Sequence, residues 1–264
     1  MVRRAYGKDR DALNIKMIVT DLDGTLLRKD RTISERTIDT LRRCRAAGIK
    51  TVYATGRGSS AEMVAPSELF DGKITMNGAV AKVGDSVVYN SVIPCLVARP
   101  FLLACQKRGL KIASEAAGMH HTNFTVPDEW DDVVENWQIT DFTKHEKDAE
   151  KIYTFDLTAA DINFIAEILP QNLYMVISIE GLAMIMHKDA TKAKAATALA
   201  ARWGIKPAEV VAFGDDLNDT DLLHAMGLGV AMGNARKEIK VATHHMCDTN
   251  DNDGIAKWLE ENVL

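Results

Sequence analysis

Asp21 and Asp23 stand two residues apart in IKMIVTDLDGTL (15–26), just past the apolar run Met17–Val19. That run is rich in β-branched and large apolar side chains and is cut off by acidic and glycine residues. It has the pattern of a strand buried on both faces that ends where chemistry begins. In open parallel sheets, ligands sit beyond the carboxyl ends of the strands. Carboxylates this close repel each other, and a hard divalent cation with oxygen ligands is their natural partner. A solvated turn also uses Asp and Gly, so this stretch alone leaves both readings open.

A second acidic cluster, Gly214-Asp215-Asp216-Leu217-Asn218-Asp219, ends the buried-strand pattern Glu209–Phe213. Such a density of aspartates with an asparagine makes a poor structural element and a good metal site. Thr55-Gly56-Arg57 ends another apolar run, Ile49–Ala54. A hydroxyl and free backbone N–H groups at a strand end can hold a phosphoryl oxygen, although Thr55 could equally cap a helix beginning near Ser59. Lys192 precedes an alanine-rich helical stretch, Ala193–Trp203, with Lys188 and Lys194 near enough for its role to slip to either.

The elements that must position these residues follow from periodicity and turn chemistry. Ser34 caps a helix that Gly48 stops, and Ile49–Ala54 follows it as a strand. Strand, helix and strand in that order form a right-handed parallel unit, which brings Thr55 to the sheet edge that carries Asp21. Ser60–Leu69 reads as a helix broken by Pro66, and a helix is expected to open at Gly233-Asn234-Ala235. From Val80 to His187 the texture changes to mixed strands and helices: a hairpin about Gly84-Asp85, strands around Gly118, and Glu129–Trp137 at helical spacing. That mixture is a separate α+β domain, inserted between two stretches that both carry chemistry. The expected division is a frayed extension at 1–14, a core at 15–79 and 188–264, and an inserted domain at 80–187.

Asp-x-Asp-Gly-Thr after a strand, Thr55-Gly56-Arg57, Lys192 and Gly-Asp-x-x-Asn-Asp occur in order, with a domain-sized gap between the second and third. Together with Asn77-Gly78, Ala231–Ala235 and Asp253-Gly254-Ile255, they resemble the haloacid dehalogenase superfamily of phosphohydrolases, in its Cof-like sugar-phosphatase branch with an α+β (type C2) cap. The resemblance implies an α/β fold with a Rossmann-like parallel-sheet core and an inserted α+β cap. It implies Asp21 as nucleophile, Asp23 as acid and base, and a magnesium ion held by Asp21, the backbone carbonyl of Asp23 and Asp215. Asp219 would bind that ion directly or through water. Thr55, the N–H of Gly56, Lys192 and Asn218 would hold the phosphoryl oxygens. Glu115, His120, His121 and Glu180 are candidate cap contacts for the leaving group. The expected activity is a phosphomonoester phosphatase acting through an aspartyl-phosphate on a small phosphorylated metabolite such as a sugar phosphate. The alternatives are a phosphomutase-like or single-substrate phosphatase, or a non-catalytic binder of a phosphorylated ligand.

Composition narrows the partners. A net charge of −5 argues against nucleic-acid binding through a general basic surface. No apolar run is long enough to span a bilayer, and none near Met1 resembles a secretory signal; the expected setting is the cytoplasm and the expected form a monomer or small homo-oligomer. The cysteines, Cys44, Cys95, Cys105 and Cys247, form no C-x-x-C pair and read as reduced fillers. His120-His121 is a poor zinc pair, because neighbours on a strand point to opposite faces, and His244-His245 lacks a third ligand at fitting spacing. No P-loop string occurs.

Overall fold

The structure is a computed structural model that describes residues 14–126, 136–177 and 181–264. The extension expected before Asn14, the helical spacing at 129–135 and the candidate contact Glu180 lie outside the described residues.

The chain begins with β1 (Met17–Thr20), α1 (Glu35–Ala46), β2 (Lys50–Ala54), α2 (Ala61–Val64), β3 (Gly72–Thr75), β4 (Val80–Val83) and β5 (Ser86–Asn90). It continues with α3 (Cys95–Arg108), β6 (Ile112–Ala116), β7 (Met119–Thr122), β8 (Trp137–Ile139), β9 (Lys151–Thr154), α4 (Ala159–Ile168), β10 (Leu173–Ile177) and β11 (Ala183–His187). The last part is α5 (Lys192–Arg202), β12 (Val210–Gly214), α6 (Thr220–Ala225), β13 (Leu228–Ala231), α7 (Lys237–Ala242), β14 (His245–Met246) and α8 (Gly254–Asn262). Contacts divide it into a first unit of 1–54, 64–73 and 196–264 and a second of 55–63 and 74–195. Segments 55–63, 74–79 and 188–195, which the sequence reading assigns to the core, thus group with the inserted residues.

In the first unit the strands run β14-β13-β12-β1-β2, every pairing parallel. The apolar run at Met17–Val19 sits at the centre of this sheet and is fully buried, as a strand covered on both faces must be. Thr20 lies opposite Phe213 on one side and Tyr53 on the other, so β1, β12 and β2 end along one edge. The Ser34 side chain accepts the N–H of Thr37 at 3.1 Å and so starts α1. Gly48, at φ +85°, lets the chain leave the helix in a left-handed turn. α1 is tied to α8 through Glu260, which accepts from Thr40 at 2.9 Å and pairs with Arg36. Phe213 meets Trp258 of α8 edge to face, with ring centroids 5.4 Å apart.

The second unit is built on a sheet ordered β10-β11-β9-β6-β7-β8, antiparallel except for β7 with β8, and it also carries the β4–β5 hairpin. Phe101 and Leu102 of α3, Ile165 of α4, Phe142, Ile152 and Ile185 form a dry core on this sheet. The expected α/β fold, with a parallel sheet and an α+β insertion, is what the structure has.

Three local expectations are corrected. Trp137, read as the end of a helix, opens β8 opposite His120. The helix expected over Ser60–Leu69 is a single turn, α2, followed by a 3₁₀ turn at Ser67–Leu69, because Pro66 supplies no N–H and disfavours helix at Ala65. The helix expected at Gly233 begins at Lys237; Gly233–Arg236 instead turns back onto the site, with Arg236 N–H donating to Asp215 O at 3.0 Å.

Ile18 is the central test of this layout, being fully buried in the middle strand. Ile18→Ala is expected to destabilise the protein by ~2–5 kcal/mol. In urea unfolding this would appear as a lower midpoint with an unchanged m-value.

Candidate active site

In the first unit, Asp21 and Asp215 follow the adjoining ends of β1 and β12, and Asp21 N–H donates to Phe213 O at 3.1 Å. Asp219 returns to them after one 3₁₀ turn. Asp21, Asp215 and Asp219 each offer a carboxylate oxygen, and those oxygens lie within 4.8 Å of one another. Asp219 is fully buried, and its Oδ2 accepts the N–H groups of Asp215 at 3.0 Å and Asp216 at 3.2 Å. Asp215 Oδ1 accepts the hydroxyl of Thr25 at 2.6 Å. This donor set of clustered, oriented carboxylates is what a hard divalent cation takes. Asp23 is outside the carboxylate group and is exposed, on the turn that Gly24 closes at φ +75°. A Cβ on Gly24 would stand 2.4 Å from Asp215 Oδ2, so glycine is needed there for conformation and for room.

Side chains that the sequence reading did not assign complete this edge. Asn234 donates to Gly24 O at 2.7 Å and accepts Asn250 N–H at 3.0 Å, holding the turn after Asp23. Arg236 pairs with Asp216 at 3.1 Å, which leaves Asp216 occupied away from the carboxylate group. The Ala231–Ala235 run was noticeable as a motif, but nothing in it signalled that it braces a glycine carbonyl more than two hundred positions away. Asn218 lies in the same 3₁₀ turn as Asp219 and is partly exposed.

In the second unit, Thr55, Gly56, Asn77 and Lys192 come together. Thr55 Oγ1 accepts Arg57 N–H at 3.1 Å, and Thr55 O accepts Asn77 N–H at 2.9 Å. The hydroxyl thus braces its own loop, and α2 begins only at Ala61. A Cβ on Gly56 would sit 3.1 Å from Asn77 Oδ1, and one on Gly78 would sit 2.2 Å from the Thr191 carbonyl. The Asn77-Gly78 turn therefore packs directly against the start of α5, where Lys192 is 1% exposed. Burial separates the three lysines. Lys188 is exposed and Lys194 is bound to Asp189 at the surface, so Lys192 alone of the three is enclosed.

His120 and His121 do face opposite ways. His120 Nδ1 meets Tyr153 Oη at 2.8 Å, while His121 lies by Thr140 at 3.2 Å. Burial pushes the pKa values of His120, His121 and His145 below the ordinary histidine value, with the Glu115 charge opposing it at His120. Burial also raises the thiols of Cys44 to about 11 and of Cys105 and Cys247 to about 12, which suits fillers and not nucleophiles. No described helix is long and apolar enough to cross a membrane.

A family model described as haloacid dehalogenase-like hydrolase matches residues 18–259. The chain belongs to this family and is a hydrolase of the phosphatase type. Among its curated relatives is the 5-amino-6-(5-phospho-D-ribitylamino)uracil phosphatase YcsE of Bacillus subtilis, 32% identical over 265 residues that cover 97% of this chain and 98% of the relative. Among solved structures, the phosphatase BT1666 of Bacteroides thetaiotaomicron superposes with a TM-score of 0.82 at 28% identity, covering 96% of each chain. The subclass IIB sugar phosphatase BT4131 does so with a TM-score of 0.80 at 27% identity, covering 93% of this chain and 98% of its own.

Thr25 touches Asp215 through one hydroxyl, so Thr25→Val removes that bond and nothing of the volume. It is expected to weaken divalent-cation binding by ~10–100-fold, the usual effect of losing a bond that orients a ligand. Calorimetric titration with the metal alone reads this directly.

Proposed function

We propose that the chain is a magnesium-dependent phosphomonoester phosphatase that works through an aspartyl-phosphate on Asp21. The observation that carries the reading is the convergence of Asp21, Asp215 and Asp219 at the ends of β1 and β12. These residues, with the backbone carbonyl of Asp23, would hold the ion. Bound there, magnesium supplies positive charge against which an anionic nucleophile can meet an anionic phosphoryl group.

The remaining work falls to the chain. Asp21 attacks phosphorus as the bond to the leaving oxygen breaks, and Asp23 gives that oxygen its proton. In the second half, Asp23 takes a proton from water, the water oxygen bonds to phosphorus, and the carboxylate of Asp21 is released. One residue serves both halves because the proton moves in opposite directions. An acid and base that must exchange protons with leaving group and water is better exposed than buried, as Asp23 is. Lys192, Thr55, the Gly56 N–H and Asn218 are assigned to the phosphoryl oxygens, where fixed donors stabilise developing charge.

The substrate is a small phosphorylated metabolite, a sugar phosphate or a phosphorylated polyol such as the names of the relatives indicate. Residues 80–187 form the cap that selects it, and the setting is the cytoplasm, with no nucleic-acid or membrane partner. Phosphate release from a panel of sugar, polyol and aryl phosphates, with and without magnesium, tests the reading. Wild type is expected to turn over only with the metal, and Asp21→Asn to lose at least about 10⁴-fold in kcat. Tight binding of panel members without turnover would establish a non-catalytic binder in its place.

A further inference from the structure

One polar cluster of the second unit is not used by that chemistry. Glu115 of β6 lies directly opposite His120 of β7 and Lys151 of β9, so the three side chains stand in a row on one sheet face. Glu115 is 1% exposed; its Oε2 is 3.1 Å from Lys151 Nζ and its Oε1 is 3.5 Å from His120 Nε2. Tyr153, two residues along β9 on the same face, meets the other nitrogen of His120. A buried pair of this kind is weak evidence for stability, since desolvation of both charges opposes their attraction. Its placement matters more. Lys151 Nζ donates to Gly56 O at 3.4 Å, and a Cβ on Gly58 would lie 2.0 Å from Glu115 Oε1 and 2.4 Å from Met76 Cε. Gly58 has no left-handed φ, and a side chain there would have to displace the ends of Glu115 and Met76. The loop 55–58 is held on its other side by backbone bonds, Met76 N–H to Arg57 O at 3.0 Å and Asn77 N–H to Thr55 O at 2.9 Å.

We infer that Glu115 and Lys151 are positioning residues that set the Thr55–Gly58 loop for phosphoryl binding, with His120 and Tyr153 holding Glu115 in place. The inference rests on the assignment of Thr55 and Gly56 to the phosphoryl group. Lys151 fixes the Gly56 carbonyl, and because the peptide is planar this also fixes the direction of the Arg57 N–H. Glu115 holds Lys151 in reach and closes over Gly58, so the loop cannot pivot. Both Glu115 carboxylate oxygens are buried and make no hydrogen bond, so the contacts at 3.1 Å to Lys151 and 3.5 Å to His120 are ionic. A pair that acts through the phosphoryl-binding loop affects every substrate alike, whatever its leaving group.

The test is amide hydrogen exchange at residues 56–59, together with kinetics over aryl, sugar and polyol phosphates. Removing one partner from a buried pair can unfold a protein, whereas replacing both by apolar groups is tolerated. Lys151→Met is therefore made beside the double variant Glu115→Met with Lys151→Met. Both are expected to exchange those amides about tenfold faster while the rest of the second unit keeps its protection. Both should lose up to about 10²-fold in kcat, uniformly across leaving groups. Lys151→Arg, which can still reach a carbonyl, should recover most of both. Unchanged exchange at 56–59, or a loss confined to one class of leaving group, would overturn the inference. If wild type turned over no substrate, the proposed function would fall, while the exchange measurement would still decide the role of the pair.

Discussion

The mutual repulsion of Asp21, Asp215 and Asp219 is the constraint on which the rest of the site depends. With oxygens no more than 4.8 Å apart, each pair of full charges repels by roughly 3–4 kcal/mol at an effective dielectric of about 20. A fold whose total stability is of order 5–15 kcal/mol does not gather such groups without reason. The bond from Thr25 to Asp215, and those from the N–H groups of Asp215 and Asp216 to Asp219, fix where these two carboxylates point. In our reading a divalent cation answers the charge that remains. Parallel register makes the gathering possible, because β1 and β12 stop side by side and the residues just beyond them have nowhere to go but the same edge.

Close backbone approach is the second theme. Gly24 makes room for Asp215, Gly214 for Asp219, Gly78 for Thr191 and Gly58 for Glu115. In each case a methyl group would meet a functional or supporting group at well under van der Waals distance. These glycines bring the chain near to itself where chemistry is proposed, and none of them could be replaced by alanine without moving its neighbour.

Much of this was legible in the sequence because it is local. An apolar run ended by Asp-x-Asp-Gly states both a buried strand and its functional end, and Ser34 to Gly48 states a helix with both caps. What required the structure was tertiary. Lys192 cannot be told from Lys188 or Lys194 by spacing, and only burial distinguishes it. Asn234 braces Gly24 from the opposite end of the chain, a relation no window of sequence contains, and Arg236 pairs with Asp216 across the intervening α6 and β13. The row of His120, Glu115 and Lys151 depends on strand register, which side-chain type alone does not set. β8 was missed because tryptophan suits a helix face and a strand face equally, and the strand is only three residues long.

Thermal unfolding of wild type and Asp215→Asn, each with magnesium and with a chelator, tests the central claim most directly. Asparagine keeps an acceptor for Thr25 but removes one of the repelling charges. The account predicts that magnesium raises the melting temperature of wild type, as any ligand bound only to the folded state must. It also predicts that Asp215→Asn melts higher than wild type under chelation and no longer responds to magnesium. A wild type indifferent to magnesium, with a variant that melts lower than it under chelation, would show that the carboxylates are held together for some reason other than a cation.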